Sequence, residues 1–190
     1  MYRKIDFRYN KTEEYFDILN EKGEKTGESR SKKEAHEKGL IHRTAHVWIL
    51  NSKKELLLQK RASGLRVYPD CWDISAAGHI SAGQTSLEGA KREVEEELGL
   101  SLPDDMFVYL FTVQEHIILN QGTYVNNEFQ DVYLVHLDIS RKEIKFGKGE
   151  VAEIKWVSMD GFKLLMSNEK YKLAPRKEEY RRLLDYIEKL

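Results

Sequence analysis

The sequence predicts an α/β protein in which a mixed β-sheet lies between layers of helix. Two observations support this prediction. Short runs rich in β-branched, aromatic and leucine residues recur along the chain, and helical patterns are interspersed among them. Glycine and polar turn residues separate many of these segments. A chain of 190 residues is long enough for one domain with a substantial core, so we expect a single domain over residues 1–190.

The N-terminal half contains the first predicted strands and a short helical segment. Residues Tyr15–Leu19 are typical of a strand, and the glycine-containing turn 20–27 leads to a second strand, so we expect a hairpin here. The polar segment 30–39 is compatible with a helix. Residues His42–Leu50 and Glu55–Arg61 have the residue types of buried strands.

The C-terminal half contains a predicted helix over Ser86–Leu98, which should end at Gly99 because glycine is a common C-terminal cap. Three further strands are predicted at Met106–Gln114, Glu128–Leu137 and Ile154–Val157. A last helix is expected to start near Pro175 and to run to Leu190. The core of the domain should therefore cover about residues 15–157, with a C-terminal helical extension.

Composition and charge restrict the classes of partner. Apolar residues make up 41% of the chain and charged residues 33%, as in water-soluble globular proteins. The 31 basic and 32 acidic residues give a net charge of −1, so no global field attracts nucleic acid or an anionic membrane. We expect no nucleic acid polymer as a partner, and an anionic substrate must be held locally.

Localisation can be predicted only by default. The single cysteine, Cys71, cannot form an intramolecular disulfide, and the segment 1–10 lacks the apolar core of a signal peptide. No apolar run approaches the length of a membrane span. A cytoplasmic protein without a membrane partner is therefore expected, and a homodimer is left open as an alternative to a monomer.

A glutamate-rich stretch carries the clearest chemical signal. Glu93, Glu96 and Glu97 stand at positions i, i+3 and i+4, which share one side of an α-helix. An apolar stripe on the adjoining side should pack on the sheet and fix the rotation of the helix. This stripe consists of Leu87, Ala90, Val94 and Leu98. Glu95 then points elsewhere.

Glutamates in this arrangement require compensation by a cation. Like charges at this spacing destabilise a helix by about a few tenths of a kcal/mol per pair, and negative charge near the C-terminal end opposes the helix dipole. Ligand sets made only of oxygen favour Mg²⁺, with Mn²⁺ as an alternative, and Mg²⁺ is commonly shared with substrate phosphates. Diphosphate chemistry is the functional interpretation. A solvated acidic helix face is the structural alternative.

The residues around these glutamates favour the functional interpretation. Gly78 is followed at defined spacings by Gln84, by Arg92-Glu93-Val94, by Glu96-Glu97 and by Gly99-Leu100. This pattern resembles the Nudix box, Gly-x5-Glu-x7-Arg-Glu-U-x-Glu-Glu-x-Gly-U, where U is an aliphatic residue. The one departure is Gln84, where the family usually has glutamate.

The resemblance implies a Nudix-type α/β/α sandwich with a mixed β-sheet, an N-terminal β-hairpin and a C-terminal helix. It also implies that Glu93, Glu96 and Glu97 supply metal ligands and that Gly78 offers its backbone to the metal. Arg92 is expected to orient the carboxylates. The implied substrate is a small molecule with a diphosphate linkage.

Residues 15–157 look most similar to the branch that includes isopentenyl-diphosphate isomerase and its hydrolase-like relatives. In the isomerases, histidines near the positions of His36, His42 and His79 bind a metal, and a cysteine precedes the box glycine. Here Ala77 replaces that cysteine, and alanine has no proton to transfer. Glu128 matches an isomerase glutamate, whereas Asn126 stands at the second acidic position. Isomerase activity is therefore disfavoured.

Other candidate residues have both functional and structural interpretations. His36, His42 and His79 are candidates for binding metal or substrate phosphate, although a histidine is more often structural. For His46, His116 and His136 we expect structural roles. Lys60 and Arg61 are candidates for contacting substrate phosphate, and solvated charges at a strand end are the alternative.

The expected reaction is substitution at phosphorus by water, with charge neutralised by metal ions. Glu96, Glu128 and Glu150 are candidates for the carboxylate that removes the proton, and Glu128 is favoured. The substrate is expected to be a nucleoside diphosphate derivative or a related molecule. The non-enzymatic alternative is a ligand-sensing domain that keeps the fold without activity.

Gln84 carries a prediction of its own. Glutamine keeps the length and one acceptor oxygen of glutamate, so it can bind Arg92 by a hydrogen bond, but it contributes no negative charge. We therefore expect an active hydrolase with a high Mg²⁺ requirement, which the substitution Gln84→Glu should lower.

Overall fold

The computed structural model describes residues 13–146 and 149–190. Its strands are β1 Tyr15–Leu19, β2 Lys25–Ser31, β3 His42–Leu50, β4 Glu55–Arg61, β5 Trp72–Asp73, β6 Ala76–His79, β7 Phe107–Leu119, β8 Tyr124–His136 and β9 Val151–Ser158. Its α-helices are α1 Lys32–Lys38, α2 Ser86–Leu98, α3 Met159–Ser167 and α4 Lys177–Ile187. The domain predicted over residues 1–190 also includes 1–12 and 147–148, which lie outside the described residues.

A seven-stranded mixed sheet forms the centre of the molecule, with β5, β4, β3, β8 and β7 in that order. Strands β3 and β8 are parallel, from the pair His42 and Glu128 to the pair Leu50 and His136. Strand β6 pairs with β3, and β9 pairs with β4. The recorded pairing between β3 and β4 is confined to Leu50 and Leu56, so these two strands diverge and leave space between their other ends.

Helices cover both faces of this sheet because its central strands are apolar on both sides. On β3, Val47 packs in one buried cluster with residues of α2, whereas Trp48 packs in a second cluster with residues of α3 and α4. Successive strand residues point to opposite faces, which places these neighbours in different layers. The predicted α/β/α sandwich is confirmed, as is the C-terminal helix.

The N-terminal hairpin is also confirmed. Strands β1 and β2 pair antiparallel in a separate two-stranded sheet, with Phe16 opposite Arg30. Phe16 and Ile18 pack against Ala35 of α1 in a small buried cluster. The hairpin therefore packs on α1, which in turn contacts β8 of the main sheet next to the histidines described below.

Two main differences from the sequence prediction concern the second half of the chain. Strands β7 and β8 continue past the predicted ends and pair as far as Leu119 and Tyr124, around a short 3-10 turn at Asn120–Gly122. Helix α3 was not predicted; Ser158 caps its N-terminus by accepting a hydrogen bond from the Gly161 amide.

No helix in the described ranges is long and apolar enough to span a membrane.

Candidate active site

A cleft of about 390 Å³ lies where β3 and β4 diverge. The acidic end of α2 lines one side of it, together with Gly78 at the end of β6. Arg61, His79 and Glu128 line other parts of the cleft. The cleft therefore brings together most of the residues that the sequence analysis selected.

Local sequence signals fix the ends of α2. Thr85 and Glu88 form a reciprocal capping box at the N-terminus, and Gly99 ends the helix in the left-handed conformation with φ of 67°. Val94 and Leu98 are fully buried against the sheet. Because this stripe sets the helix rotation, Glu93 and Glu97 turn toward the sheet, where they are only 6% and 4% exposed.

Gly78 makes room for the Glu93 carboxylate. A Cβ atom at position 78 would lie 2.1 Å from the Glu93 Cδ atom and 2.2 Å from Oε1. Arg92 holds this carboxylate from the other side, with 2.7 Å between its Nη2 and Glu93 Oε1. The same guanidinium donates to Glu96 Oε2 at 2.9 Å and to the His79 carbonyl at 2.6 Å. Arg92 thus forms ion pairs with two of the box glutamates.

The Glu97 carboxylate is positioned by neutral donors. Gln59 Nε2 donates to Glu97 Oε2 at 2.7 Å, and the Ala77 amide donates to the same oxygen at 3.0 Å. The hydrogen bond from Ala77 ties the helix to β6 immediately before Gly78. Gln59 was not selected from the sequence; its position on β4, two residues before Arg61, was the only available signal.

Both buried glutamates resist ionisation in this arrangement. Burial raises the pKa of Glu93 to about 7, against the opposing effect of Arg92. Burial and the neighbouring Glu93 charge raise the pKa of Glu97 well above its ordinary value. Two carboxyl groups with raised pKa values beside an exposed third, Glu96, form an oxygen-rich set that fits Mg²⁺ or Mn²⁺.

A second group of ligating side chains lies beside the first. His36 of α1, His42 of β3, His79 of β6 and Glu128 of β8 each present one ligand atom, and these atoms lie within 4.8 Å of one another. The Nε2 atoms of the three histidines are buried without a hydrogen-bond partner among the described residues. Unpartnered imidazole nitrogens around a carboxylate fit a divalent metal.

Backbone carbonyls orient two of these imidazoles. His36 Nδ1 lies 2.7 Å from the Lys32 carbonyl oxygen, and His42 Nδ1 lies 2.8 Å from that of Leu40. A proton on each Nδ1 leaves the Nε2 lone pair directed into the group, as in many metal-binding histidines. The Phe16 ring stacks on His42 and His79 at centroid distances of 4.9 and 4.6 Å.

Charge states in this group also suit a metal site. Burial lowers the pKa of His36 to about 4, so its ring is neutral near pH 7. Burial opposes ionisation of Glu128, but His42 and His79 hold its pKa well below the ordinary value. Glu128 Oε1 lies 3.6 Å from His42 Nε2 and 3.4 Å from His79 Nε2. Glu128 therefore belongs with the histidines, and its low pKa makes it a weak base.

Lys60 and Arg61 are separated by the sheet. Arg61 lines the cleft, 3.6 Å from Asp73 Oδ2, and Arg176 binds the same carboxylate at 2.8 and 3.1 Å. Lys60 lies outside the cleft, in a second pocket that Trp72 also lines. Strand alternation explains the separation, since adjacent residues of β4 face opposite sides of the sheet.

Gln84 lies outside the set of cleft-lining residues. Its Oε1 accepts a hydrogen bond from the Ser81 amide at 3.3 Å, so this side chain stabilises its own loop.

Several residues of the cleft wall were not predicted from the sequence. These are Thr44, Tyr68, Tyr124, Asn126 and Arg176, together with His46, for which a structural role was expected.

Comparison with known proteins places this architecture in a family. The model of the NUDIX domain matches residues 40–180, which is most of the chain. The chain belongs to the Nudix family. It is 43% identical over 180 residues to Nudix hydrolase 3 of Arabidopsis thaliana, covering 92% of this chain but 23% of that relative. An uncharacterized Nudix hydrolase of Listeria monocytogenes is 34% identical over 155 residues, covering 82% of this chain and 86% of the relative.

Other relatives of this Nudix protein agree with the branch inferred from its residues. Isopentenyl-diphosphate Delta-isomerase 2 of Photorhabdus laumondii is 29% identical over 154 residues, covering 80% of this chain and 81% of that protein. Among solved structures, DR0079 of Deinococcus radiodurans has a TM-score of 0.67 at 20% identity, covering 89% of this chain and 98% of that one. This likeness concerns the fold. Family membership supports a pyrophosphate-hydrolysing function on a small molecule.

Proposed function

We propose that this Nudix protein is a Mg²⁺-dependent hydrolase that cleaves a diphosphate linkage in a nucleoside diphosphate derivative or a related small molecule. The observation that carries the proposal is the pair Glu93 and Glu97. Both are buried at the cleft with raised pKa values, and Gly78 leaves space for the first of them. A cation shared with an anionic substrate would offset the cost of this arrangement.

In this proposal Glu93, Glu96 and Glu97 hold Mg²⁺, or Mn²⁺ as the alternative, with help from the Gly78 backbone. When bound, such a metal would supply positive charge to offset that of the diphosphate oxygens. Arg92 keeps Glu93 and Glu96 in position through its two ion pairs. Arg61 binds a substrate phosphate, because its guanidinium lies in the cleft and offers several donors.

The histidine group is proposed as a further divalent-metal site next to the substrate. Three unpartnered imidazole nitrogens and the Glu128 carboxylate support this role. Glu128, favoured as the base from the sequence, instead suits a ligand role, because its carboxylate lies 3.6 and 3.4 Å from the His42 and His79 Nε2 atoms and its pKa is lowered. Lys60 is not assigned to substrate binding, since it lies outside the cleft.

Glu96 and Glu150 are the remaining candidates for the base, since both line the cleft. Either carboxylate would take a proton from the attacking water as the bond between phosphorus and the leaving oxygen breaks. The electron pair of that bond leaves with the departing phosphate group. Glu150→Gln separates the candidates, because loss of a general base costs on the order of 10²- to 10⁴-fold in rate. Glu96→Gln alone does not, since it also removes a proposed metal ligand.

The test is a panel of nucleoside diphosphate derivatives incubated with Mg²⁺ or Mn²⁺ and assayed for phosphate and nucleoside monophosphate. The wild-type protein should release product, and Glu97→Gln should reduce the rate by orders of magnitude. Glu95→Gln is the matched control, because Glu95 is exposed and lies outside the cleft. Equal rates for both variants would remove the proposed metal site, and a panel without products would favour a ligand-sensing domain.

Isopentenyl diphosphate belongs in the same panel. The histidine group resembles the isomerase site, but the Ala77 methyl has no proton to transfer to carbon. We expect no conversion to dimethylallyl diphosphate. Steady isomerisation by pure protein would show that another group supplies the proton and would replace the hydrolase proposal.

A further inference from the structure

His46 occupies a buried position that nonetheless borders the cleft. It is 2% exposed, and it lies on the same face of β3 as Thr44, another residue of the cleft wall. Its Nδ1 lies 2.8 Å from Glu179 Oε2 of α4. Its Nε2 forms no hydrogen bond within ranges 13–146 and 149–190, so this nitrogen remains available to a ligand.

Glu179 of α4 fixes the position of the His46 ring through Nδ1. This carboxylate is 1% exposed, and its other oxygen accepts from Trp48 Nε1 at 2.7 Å. Burial opposes its ionisation, but His46 and Arg176 lower the pKa of Glu179 below the ordinary value. The ionised carboxylate accepts the proton of His46 Nδ1–H and so fixes the orientation of the ring.

The backbone register places His46 close to the proposed metal ligands. In the antiparallel pair of β3 and β6, His46 lies opposite Ala77, and the Ala77 amide donates to Glu97. His46, Glu93 and Glu97 all line the same cleft. A diphosphate held there by a metal at Glu93 and Glu97 would therefore lie in the cleft that His46 borders from the side of α4.

We propose that His46 Nε2 contacts a phosphate oxygen of the bound diphosphate and that Glu179 is its positioning residue. With Nδ1–H donating to Glu179, an N–H on Nε2 would form a charge-assisted hydrogen bond to the anion. The C-terminal helix would then complete the substrate site. The inference rests on the proposed function, since it assumes a diphosphate in the cleft.

A binding experiment tests the contact without turnover. Protein labelled with ¹⁵N-histidine is titrated with inorganic pyrophosphate in the presence of Mg²⁺, and His46→Gln assigns the His46 ring signals. We expect pyrophosphate to move the His46 Nε2 resonance toward the protonated range while the exposed His136 stays unchanged. An unchanged His46 signal at saturating pyrophosphate would overturn the proposal. A shift without hydrolysis of any panel substrate would keep the contact and remove the proposed function.

Kinetics separate positioning from structural support. On the best panel substrate, His46→Gln should lower kcat/KM by about 10- to 100-fold, equivalent to the loss of one charge-assisted hydrogen bond. Glu179→Gln should lower it in the same direction by less. Trp48→Phe removes the other contact to Glu179, so it should lower the melting temperature and leave kcat/KM within about threefold. If Trp48→Phe reduces kcat/KM as much as Glu179→Gln, the network is structural and the proposal fails.

Discussion

At the scale of single residues, the contact between Gly78 and Glu93 shows how little space separates the box glycine from helix α2, the proposed source of metal ligands. The nearest atoms to a Cβ at position 78 all belong to the Glu93 carboxylate. They are the end of a flexible side chain, so a larger residue would displace the carboxylate and leave the backbone in place. The glycine is required for the site and much less for the fold.

Gly78→Ala is therefore expected to abolish metal-dependent hydrolysis and to change the melting temperature by only a few degrees. Isothermal titration with Mg²⁺ and a thermal melt of the same sample measure both effects. Gly149→Ala is a suitable control, because a Cβ there meets open space. A Gly78→Ala protein that binds Mg²⁺ as the wild type does would contradict the assigned role of Glu93.

Gln84 leads to a revised expectation. Because its oxygen accepts from Ser81 in its own loop, the substitution Gln84→Glu adds a charge outside the set of cleft-lining residues. We expect the Mg²⁺ concentration for half-maximal activity to change by less than about threefold, since the added charge lies outside the cleft and solvent screens charges that are only half-buried. An Mg²⁺ titration of both proteins measures it. A tenfold fall would restore the electrostatic role inferred from the sequence.

At the scale of secondary-structure elements, α2 has well-capped ends but carries buried carboxyl groups that destabilise it when they ionise. Its capping box and its glycine cap satisfy the helix ends, while Glu93 and Glu97 are buried against the sheet. A carboxyl group with a raised pKa binds its proton more tightly in the folded state than in the unfolded chain. Its stabilising contribution is present below the ordinary pKa of 4.5 and is lost as pH rises through the folded value, about 7 for Glu93.

As pH rises from about 4.5 to about 7, ionisation of Glu93 should lower the free energy of unfolding of the metal-free protein. The pKa difference between the unfolded and folded states corresponds to about 3 kcal/mol. Glu97 acts with the same sign. His36 and His79 have lowered pKa values and act with the opposite sign in part of this range, so comparison with a variant is needed. The melting temperature of Glu93→Gln, relative to wild type, should rise from pH 5 to pH 8. A constant difference would contradict the raised pKa.

The histidine group joins α1, β3, β6 and β8, and it makes a separate prediction. Wild-type protein should bind one more equivalent of Mn²⁺ or Zn²⁺ than His36→Gln or His79→Gln, because neutral imidazoles are good ligands for these ions. Metal analysis after dialysis measures the stoichiometry. His136→Gln is the control, since His136 is exposed. Equal stoichiometry in wild type and both variants would show that the group is a structural cluster.

At the scale of the whole molecule, the C-terminal helix links the rear of the sheet to the cleft. Arg176, immediately before α4, binds Asp73, which also lies beside Arg61. Glu179, within α4, binds His46 and Trp48 of the central strand. Truncation before α4 would therefore remove charged partners from buried groups, and the cost of leaving them unpaired exceeds that of losing exposed ion pairs.

Local patterns were sufficient for the family, the layered α/β fold, the helix α2 and its inward-facing glutamates. These features depend on residues close together in the chain, and helical periodicity determines which of them share a face. The same reasoning separated Glu95, which lies outside the cleft, from Glu93, Glu96 and Glu97, which line it, although Glu96 is exposed. It also placed the helix end at Gly99.

Tertiary packing determined the rest. Lys60 and Arg61 alternate along β4, but only the assembled sheet shows that the cleft lies on the side of Arg61. The grouping of His36 with Glu128 and the pairing of His46 with Glu179 join distant parts of the chain. Such contacts depend on which strands become neighbours and on how helices pack over them. A pattern of residue types along one segment carries no information about that arrangement.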